Sequence, residues 1–162
     1  ILELSPWKTP KALWMEKVGL TEPPPMTAAM QHGIDTEPLA REAFEKITGI
    51  FVLPEVRVHP DLHWMMASMD GVSLDGTNAV EIKCPRSRID HDKAQAGIIP
   101  EKYFPQLQHQ MHVCGLDYIY YFSFQHESQV LLTAHRDDEF IREMIDKEKK
   151  FWDCMQSMLP PV

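Results

Sequence analysis

The hydrophobic residues of this chain follow a helical spacing in four segments. We predict helices over residues 10–17, 28–48, 101–115 and 138–159. Thr9 before a proline, Thr27, and Asp137 or Asp138 are capping residues that begin three of these helices. Pro38 lies inside the second segment and is expected to bend or restart it. An apolar stripe beyond this proline predicts a surface facing the core, formed by Leu39, Ala43, Phe44 and Ile47.

Shorter segments rich in apolar residues and bounded by turn residues predict β-strands. They comprise residues 50–58, 64–70, 78–84, 117–124 and 129–134. Pro54 makes the first an edge or bulged strand, and the polar turn after the second predicts an antiparallel meander. Residues 85–99 are expected to be irregular. Strands clustered between helices indicate an α/β fold, a mixed β-sheet flanked by helices on both faces, as a single domain over residues 1–162.

The third predicted strand carries the most informative chemistry. Side chains alternate along a strand, so Glu81 and Lys83 point to one face while Ile82 points into the core. An antiparallel return through the preceding turn brings Asp70 beside Glu81. Two carboxylates and the Ile82 carbonyl are oxygen ligands that suit Mg²⁺ or Mn²⁺, and a nearby lysine can orient a water and stabilise phosphoryl charge. The spacing predicts a metal-dependent nuclease; a solvated hairpin with ordinary surface charges is the alternative.

A second acidic position lies on the second predicted helix. Gly33 and Glu37 are one helical turn apart, so a position without side-chain bulk precedes a carboxylate on the same face. Glu37 could therefore complete a second metal position. The alternative for Glu37 is a surface acid placed favourably before the restarting helix at Pro38.

Polar residues after the third strand are candidate contacts to DNA. Gln106 and Gln110 share a helix face that could hold the lysine or a scissile-strand phosphate, although a solvated polar face is the alternative. Arg86 and Arg88 follow the strand on a loop and suit the phosphate backbone, with a plain surface loop as the alternative. The residues expected near DNA are Arg86, Arg88, Gln108 and Gly33.

Composition narrows the functional classes. The chain has 16 Lys and Arg against 24 Asp and Glu, a formal net charge of −8, so any DNA contact must be local or enforced by topology. Three cysteines without a Cys-x-x-Cys pair argue against zinc or disulfides and favour a reducing cytoplasm. No long apolar run or signal-peptide pattern occurs, so membrane insertion and secretion are not expected. The chain starts at Ile1, which suggests that an N-terminal segment is missing.

Four motifs occur together in the order Gly33-x-x-x-Glu37, Ser68-Met69-Asp70-Gly71, Val80-Glu81-Ile82-Lys83-Cys84-Pro85 and Gln106-Leu107-Gln108. Their order and spacing resemble the phage lambda-type exonuclease family, also called YqaJ-like viral recombinases. The opening segment, residues 4–10, resembles the loop before the family's first helix. Met69 stands where the motif's name anticipates proline, but this position only flanks the metal ligand.

The resemblance implies a restriction-endonuclease-like core of the PD-(D/E)xK type. Asp70, Glu81 and the Ile82 carbonyl would then bind the first metal, and Glu37 would bind the second. Lys83 would assist the attacking water, and Gln106 would match the glutamine on the following helix.

Family members digest one strand of linear duplex DNA from 5′ to 3′ and release mononucleotides. The resemblance also implies a ring-shaped homotrimer around DNA, a single-strand annealing protein as partner, and the cytoplasm of a bacterial host cell as location. An endonuclease or repair nuclease on the same core, and a catalytically silent DNA-binding module, are the alternatives.

Overall fold

The computed structural model describes residues 8–161, so residues 4–7 of the opening motif lie outside the described residues. The helices are α1 (Pro10–Lys17), α2 (Ala28–Thr48), α3 (Arg88–Gln95), α4 (Phe104–Cys114) and α5 (Asp138–Ser157). A 3₁₀ turn at Glu101–Tyr103 precedes α4. The strands are β1 (Val52–Val58), β2 (Met66–Ser73), β3 (Ala79–Lys83), β4 (Tyr118–Gln125) and β5 (Ser128–His135). Every predicted element is present, with small differences at its ends.

The helix starts follow the capping signals in the sequence. The Thr9 and Thr27 hydroxyls accept hydrogen bonds from the backbone N–H groups of Ala12 and Met30, and Asp137 caps α5 in the same way. Each cap satisfies a backbone donor that a helix start leaves unpaired. Pro38 lies within α2, which is assigned as one continuous helix, so the proline does not end it.

The five strands form one mixed sheet in the order β1-β2-β3-β4-β5. The first three strands are an antiparallel meander, as predicted, and β4 pairs with β5 in the same sense. Strands β3 and β4 are parallel, because the chain crosses over through α3 and α4 between them. The crossover brings the carboxyl ends of β3 and β4 to one edge of the sheet.

The described chain separates into two compact units, and the sheet belongs to the unit Met26–Arg136. Within it, α2 covers one face, where Ala40 and Phe44 pack against Val80, Ile82 and Phe122. The other face is covered by α3 and α4, since His91 of α3 contacts Ser123, and Gln106 and Gln110 of α4 contact Glu81. Helices therefore flank both faces of the sheet, as the sequence predicted.

The second unit contains α1 and α5. The indole N–H of Trp14 donates to the backbone carbonyl of Cys154 at 3.1 Å. Trp14, Ile141, Met144 and Phe151 are buried. The single domain expected over residues 1–162 remains a prediction, which the two compact units do not test.

The structure differs from two details of the predicted secondary structure and core. Residues 88–95, expected to be irregular, form α3, whose cap is the Ser87 hydroxyl. The core-facing stripe on α2 is Thr36, Ala40 and Phe44, whereas Leu39 is 49% exposed and Ile47 is 53% exposed. Phe44 of the predicted stripe is buried and Ala43 packs against the core, so the face that contacts the sheet is rotated by about one position from the predicted one. Strand β1 is an edge strand whose register shifts beside Pro54, as predicted.

No helix among residues 8–161 combines the length and apolar character that crossing a membrane would require.

Gly71→Ala should destabilise the protein, because a Cβ there would lie 2.6 Å from Val52 Cγ2 and 2.9 Å from Val80 Cγ1. Overpacking a core position costs about 1 to 3 kcal/mol. The matched control is Gly33→Ala on α2, where a Cβ would meet no atom within 4 Å; there alanine should stabilise the helix by about 0.5 to 1 kcal/mol. Urea unfolding of both variants measures the difference, and equal midpoints would contradict the packing described at Gly71.

Candidate active site

The predicted alternation along β3 is present and defines the site. Val80 and Ile82 are buried in the α2-side core, and Glu81 and Lys83 point to the opposite face, towards α4. The pairing of Gly71 with Val80 in the β2–β3 hairpin brings Asp70 next to this face of the sheet. The backbone N–H of Ile82 donates to Asp70 Oδ2 at 2.8 Å. The β2–β3 hairpin therefore brings Asp70, Glu81 and Lys83 together at one end of β3.

Glu81 is the most enclosed charged group of the site, with 2% of its surface exposed. Lys83 Nζ donates to Glu81 Oε1 and forms an ion pair with it. Gln106 Nε2 donates to the same oxygen at 2.7 Å, and Gln110 Nε2 donates to Oε2 at 2.6 Å. A buried carboxylate is stable only when its oxygens are hydrogen-bonded and its charge is paired, and here both conditions are met.

Lys83 is held by groups from three segments. Besides Glu81, its ammonium lies 3.4 Å from Gln106 Oε1 and 4.8 Å from the centre of the Tyr103 ring. Burial acts to lower the pKa of Lys83, but the Glu81 charge, its hydrogen bond and the Asp70 charge raise the pKa above its usual value. The amine is therefore protonated at neutral pH, which suits it to stabilise negative charge.

Asp70 has the most perturbed carboxyl of the site. Burial, followed by the nearby Glu81 charge, raises the pKa of Asp70 to about 7, although the Ile82 N–H and Lys83 oppose the rise. Glu37 also contributes to this rise. Arg41 fixes the surroundings, since its Nε donates to the Asp70 carbonyl at 2.9 Å and its guanidinium pairs with Glu37. Burial and two neighbouring carboxylates thus make ionisation of Asp70 unfavourable.

The donor set fits a hard divalent cation. Carboxylate oxygens of Asp70, Glu81 and Glu37, with the Ile82 carbonyl, are the ligand types that Mg²⁺ and Mn²⁺ prefer. A cation would favour the ionised form of Asp70, whose pKa is raised by burial and then by the Glu81 charge. Within residues 8–161, no three His, Cys, Asp or Glu side chains are already arranged as a metal site. The Glu81 carboxylate pairs with Lys83 and accepts hydrogen bonds from Gln106 and Gln110, and the Glu37 carboxylate pairs with Arg41.

The structure places the three glutamines of α4 in two different environments. Gln106 binds both Glu81 and Lys83, and Gln110 lies on the same helix face, as predicted. The expectation that Gln108 contacts DNA is wrong, because Gln108 is fully buried and donates to the His135 carbonyl at 2.8 Å. A two-residue step on a helix rotates a side chain by about 200°, away from the site.

Tyr103 is a site residue that the sequence analysis did not identify. It belongs to the 3₁₀ turn before α4, and its ring lies near Lys83. Its position directly before a glutamine-rich helix is the only local signal that could have suggested it.

Arg86 and Arg88 lie beyond the end of β3 at a cavity of about 350 Å³. The cavity is also lined by His32 and Thr36 of α2 and by His126. Both arginines are exposed, and neither forms an ion pair or hydrogen bond with another residue in the described range 8–161. On α2, Gly33 is followed one turn later by Glu37, and the space next to Gly33 is open. Positively charged groups are therefore available at a cavity beyond the carboxyl end of β3.

The chain matches the model of the YqaJ-like viral recombinase domain family over residues 1–117. It belongs to this family. The resemblance drawn from the four motifs is confirmed.

The chain is similar to relatives of known sequence and of known structure. The chain is 29% identical over 159 residues to the uncharacterized protein YqaJ of Bacillus subtilis, covering 94% of this chain and 50% of that protein. It thus spans about half the length of this relative. The crystal structure of an alkaline exonuclease, LHK-Exo, from Laribacter hongkongensis is similar with a TM-score of 0.79 and 27% identity, covering 91% of this chain and 79% of that one. That enzyme has also been crystallised with dAMP.

A more distant likeness extends the fold comparison. A phage-related exonuclease from Haemophilus somnus 129PT matches with a TM-score of 0.68 and 16% identity, covering 90% of this chain and 80% of that chain. The predicted α/β architecture with a mixed sheet is confirmed by these structures.

Asp70→Asn should make the metal-free protein more stable at pH 8 and leave its stability unchanged near pH 3. A carboxyl whose pKa rises from 3.8 to about 7 on folding binds its proton more tightly in the folded state, so wild-type stability falls as the pH rises between these values. We expect a gain at pH 8 of roughly 2 kcal/mol, about half of what the full pKa displacement corresponds to. Urea unfolding in EDTA across this pH range measures it.

Asp75→Asn is the control with the opposite sign. Hydrogen bonds from Ser73 and Thr77 lower the pKa of Asp75, so its ionised form stabilises the turn and the substitution should destabilise the protein at neutral pH. If Asp70→Asn destabilises the protein at pH 8, as Asp75→Asn is expected to do, the electrostatic description of Asp70 is wrong.

Proposed function

We propose that this protein is a metal-dependent exonuclease that digests one strand of linear double-stranded DNA from 5′ to 3′. It releases mononucleotides and leaves a 3′ strand for single-strand annealing recombination. The observation that carries the proposal is the buried Glu81, paired with Lys83 beside Asp70 at the end of β3. The likeness to LHK-Exo and the family membership support a nuclease as the activity of this site.

The residues of the site divide the work of phosphodiester hydrolysis. The Lys83 ammonium orients the attacking water and stabilises the negative charge that develops on the phosphoryl oxygens. Gln106 and Gln110 hold the Glu81 carboxylate in one orientation. Arg41 holds the backbone of Asp70 and the side chain of Glu37. The protein thereby fixes each charged group before the substrate arrives, which removes reorganisation from the reaction.

Mg²⁺ or Mn²⁺ would be held by Asp70, Glu81 and the Ile82 carbonyl, with Glu37 at a second position. Such ions supply Lewis-acid activation of water and neutralise phosphoryl charge. Binding requires the Asp70 carboxyl to lose its proton and the Glu37 carboxylate to give up part of its pairing with Arg41. Cation binding and deprotonation of Asp70 are therefore coupled.

The net charge of −8 requires DNA binding to be local. Arg86 and Arg88 contact backbone phosphates at the end of β3, and Gly33 lets the strand approach α2 closely. A homotrimeric ring encloses the duplex and replaces bulk electrostatic affinity as the source of processivity, which a molar mass measured in solution tests. The exposed strand passes to a single-strand annealing protein, in the cytoplasm of a bacterial host cell.

Linear duplex DNA with a 5′ phosphate should be degraded fastest, linear duplex with a 5′ hydroxyl more slowly, and covalently closed circles not at all. Duplexes labelled at either the 5′ or the 3′ end, followed over time with Mg²⁺ and with EDTA, measure polarity and metal dependence. Lys83→Ala should lower kcat by about a hundredfold or more, the usual loss when a group that stabilises transition-state charge is removed. Asp70→Ala should abolish hydrolysis.

The matched control is Asp61→Ala, which removes an exposed aspartate from the turn before β2 and should leave the rate unchanged. Efficient cutting of closed circles would replace the proposal with an endonuclease or repair nuclease. If the wild-type protein shows no metal-dependent hydrolysis that Asp70→Ala removes, the protein is a catalytically silent DNA-binding module.

Arg86→Ala/Arg88→Ala should weaken DNA binding mainly by removing phosphate contacts. With Ca²⁺ in place of Mg²⁺ to prevent cutting, the slope of log affinity against log salt should become less steep by about two. Fluorescence anisotropy with a labelled duplex measures this slope. Lys147→Ala/Lys150→Ala removes the same charge from α5 and serves as the control; if both double variants reduce the slope equally, the two arginines have no specific role.

A further inference from the structure

The Tyr103 ring lies close to two ammonium groups. Lys83 Nζ is 4.8 Å from the ring centre, and Lys102 Nζ is 5.0 Å from it. Both distances fall in the range in which a cation is attracted to the negative face of an aromatic ring, about 6 Å or less. The contact with Lys83 matters most, because Lys83 also holds the buried carboxylate of β3.

The ring itself is held from the direction of α3. The Tyr103 hydroxyl donates to Asp90 Oδ2 at 3.3 Å, and Lys102 Nζ pairs with the same oxygen at 2.6 Å. Asp90 lies in the first turn of α3. A phenol that donates to a carboxylate gains electron density in its ring, which strengthens the attraction for a cation at the ring face. Asp90 therefore both fixes the ring and offsets the second positive charge of Lys102.

Lysine needs such restraint more than arginine does, because a compact ammonium on a flexible four-carbon stem adopts many positions. Glu81 and Gln106 restrain Lys83 through two oxygens of the site. A ring face restrains the charge without adding another oxygen next to the carboxylates. An additional oxygen at this position would compete with the carboxylates for the amine.

We infer that Tyr103 is a positioning residue for Lys83: its ring face, fixed by Asp90, holds the Lys83 ammonium where it can act on the attacking water. The catalytic part of this inference rests on the proposed nuclease function. The positional part does not, since it concerns the location of the amine in the protein alone. Tyr103 also lies 5.9 Å from the Tyr121 ring, so a purely packing role is the competing explanation.

Chemical labelling of lysines tests the positional part without metal, DNA or activity. The intact protein is treated with an acetylating reagent, and the labelling rate of each lysine is measured by mass spectrometry. Tyr103→Leu should raise the labelling rate of Lys83 by about fivefold, since the loss of a cation–π contact of about 1 kcal/mol frees the amine. Tyr103→Phe keeps the ring face and should stay within about twofold of wild type. Lys149 on α5, whose side chain is about half exposed and pairs with Asp153, is the internal reference for the reagent, and its labelling rate should be the same in every variant.

Steady-state kinetics on 5′-phosphorylated linear duplex with saturating Mg²⁺ tests the catalytic part. Tyr103→Leu should lower kcat by about tenfold or more with KM changed less than about twofold, because only the transition state uses the positioned amine. Tyr103→Phe should retain at least about a third of the wild-type kcat. The matched control is Tyr118→Leu, which removes a half-buried tyrosine of β4 whose hydroxyl bonds Asn78; its kcat should equal that of wild type.

The inference is overturned if Tyr103→Leu leaves Lys83 labelling at the wild-type rate, or if Tyr103→Phe matches Tyr103→Leu in both measurements. A fall in kcat for Tyr118→Leu as large as for Tyr103→Leu would establish packing as the cause. If wild-type protein has no metal-dependent hydrolysis, the proposed function fails, while selective labelling of Lys83 in Tyr103→Leu still establishes the contact.

Discussion

The hydrogen-bonded ion pair of the buried Glu81 is the interaction on which the rest of the site depends. Glu81 links β3 to α4 through Gln106 and Gln110, and it fixes Lys83 on the same strand. A carboxylate removed from water in this way costs several kcal/mol unless every partner is present, so loss of one partner leaves an unsatisfied buried charge. The same enclosure strengthens the field that the Glu81 charge exerts on Asp70. The buried Glu81 ion pair therefore affects both the stability of the hairpin and the electrostatics of the site.

The parallel pairing of β3 with β4 gives this ion pair its surroundings. The crossover between these strands contains α3 and the 3₁₀ turn with α4, so Asp90, Tyr103 and Gln106 all arrive on the face that carries Lys83. A hairpin alone would leave Glu81 and Lys83 exposed to water, where an ion pair contributes little. The opposite face is filled by Phe44 of α2 and by apolar residues of the central strands. One face of β3 thus packs in the core, and the other carries Glu81 and Lys83 of the candidate site.

Charge is distributed unevenly around this site. Burial, together with the nearby Glu81 and Glu37 charges, raises the pKa of Asp70 to about 7, while Arg86 and Arg88 lie at a cavity beyond the same strand end. A divalent cation and a phosphate would each relieve part of this imbalance, the first at the carboxylates and the second at the arginines. The acidic chain as a whole repels DNA, so the local arrangement decides where a strand binds.

The sequence by itself determined the elements and the central motif. Capping residues, the alternation of Val80 to Lys83 and the spacing of Asp70 from Glu81 are local features. They identified α1, α2 and α5, the meander and the acid, acid and lysine set, whereas α3 was not predicted. The tertiary structure alone decided that Gln110 binds Glu81 whereas Gln108 binds the His135 carbonyl of β5, because identical side chains two positions apart point to different sides of α4. It likewise brought Tyr103 to Lys83 across 20 residues of sequence, a contact that depends on the crossover and leaves no local pattern.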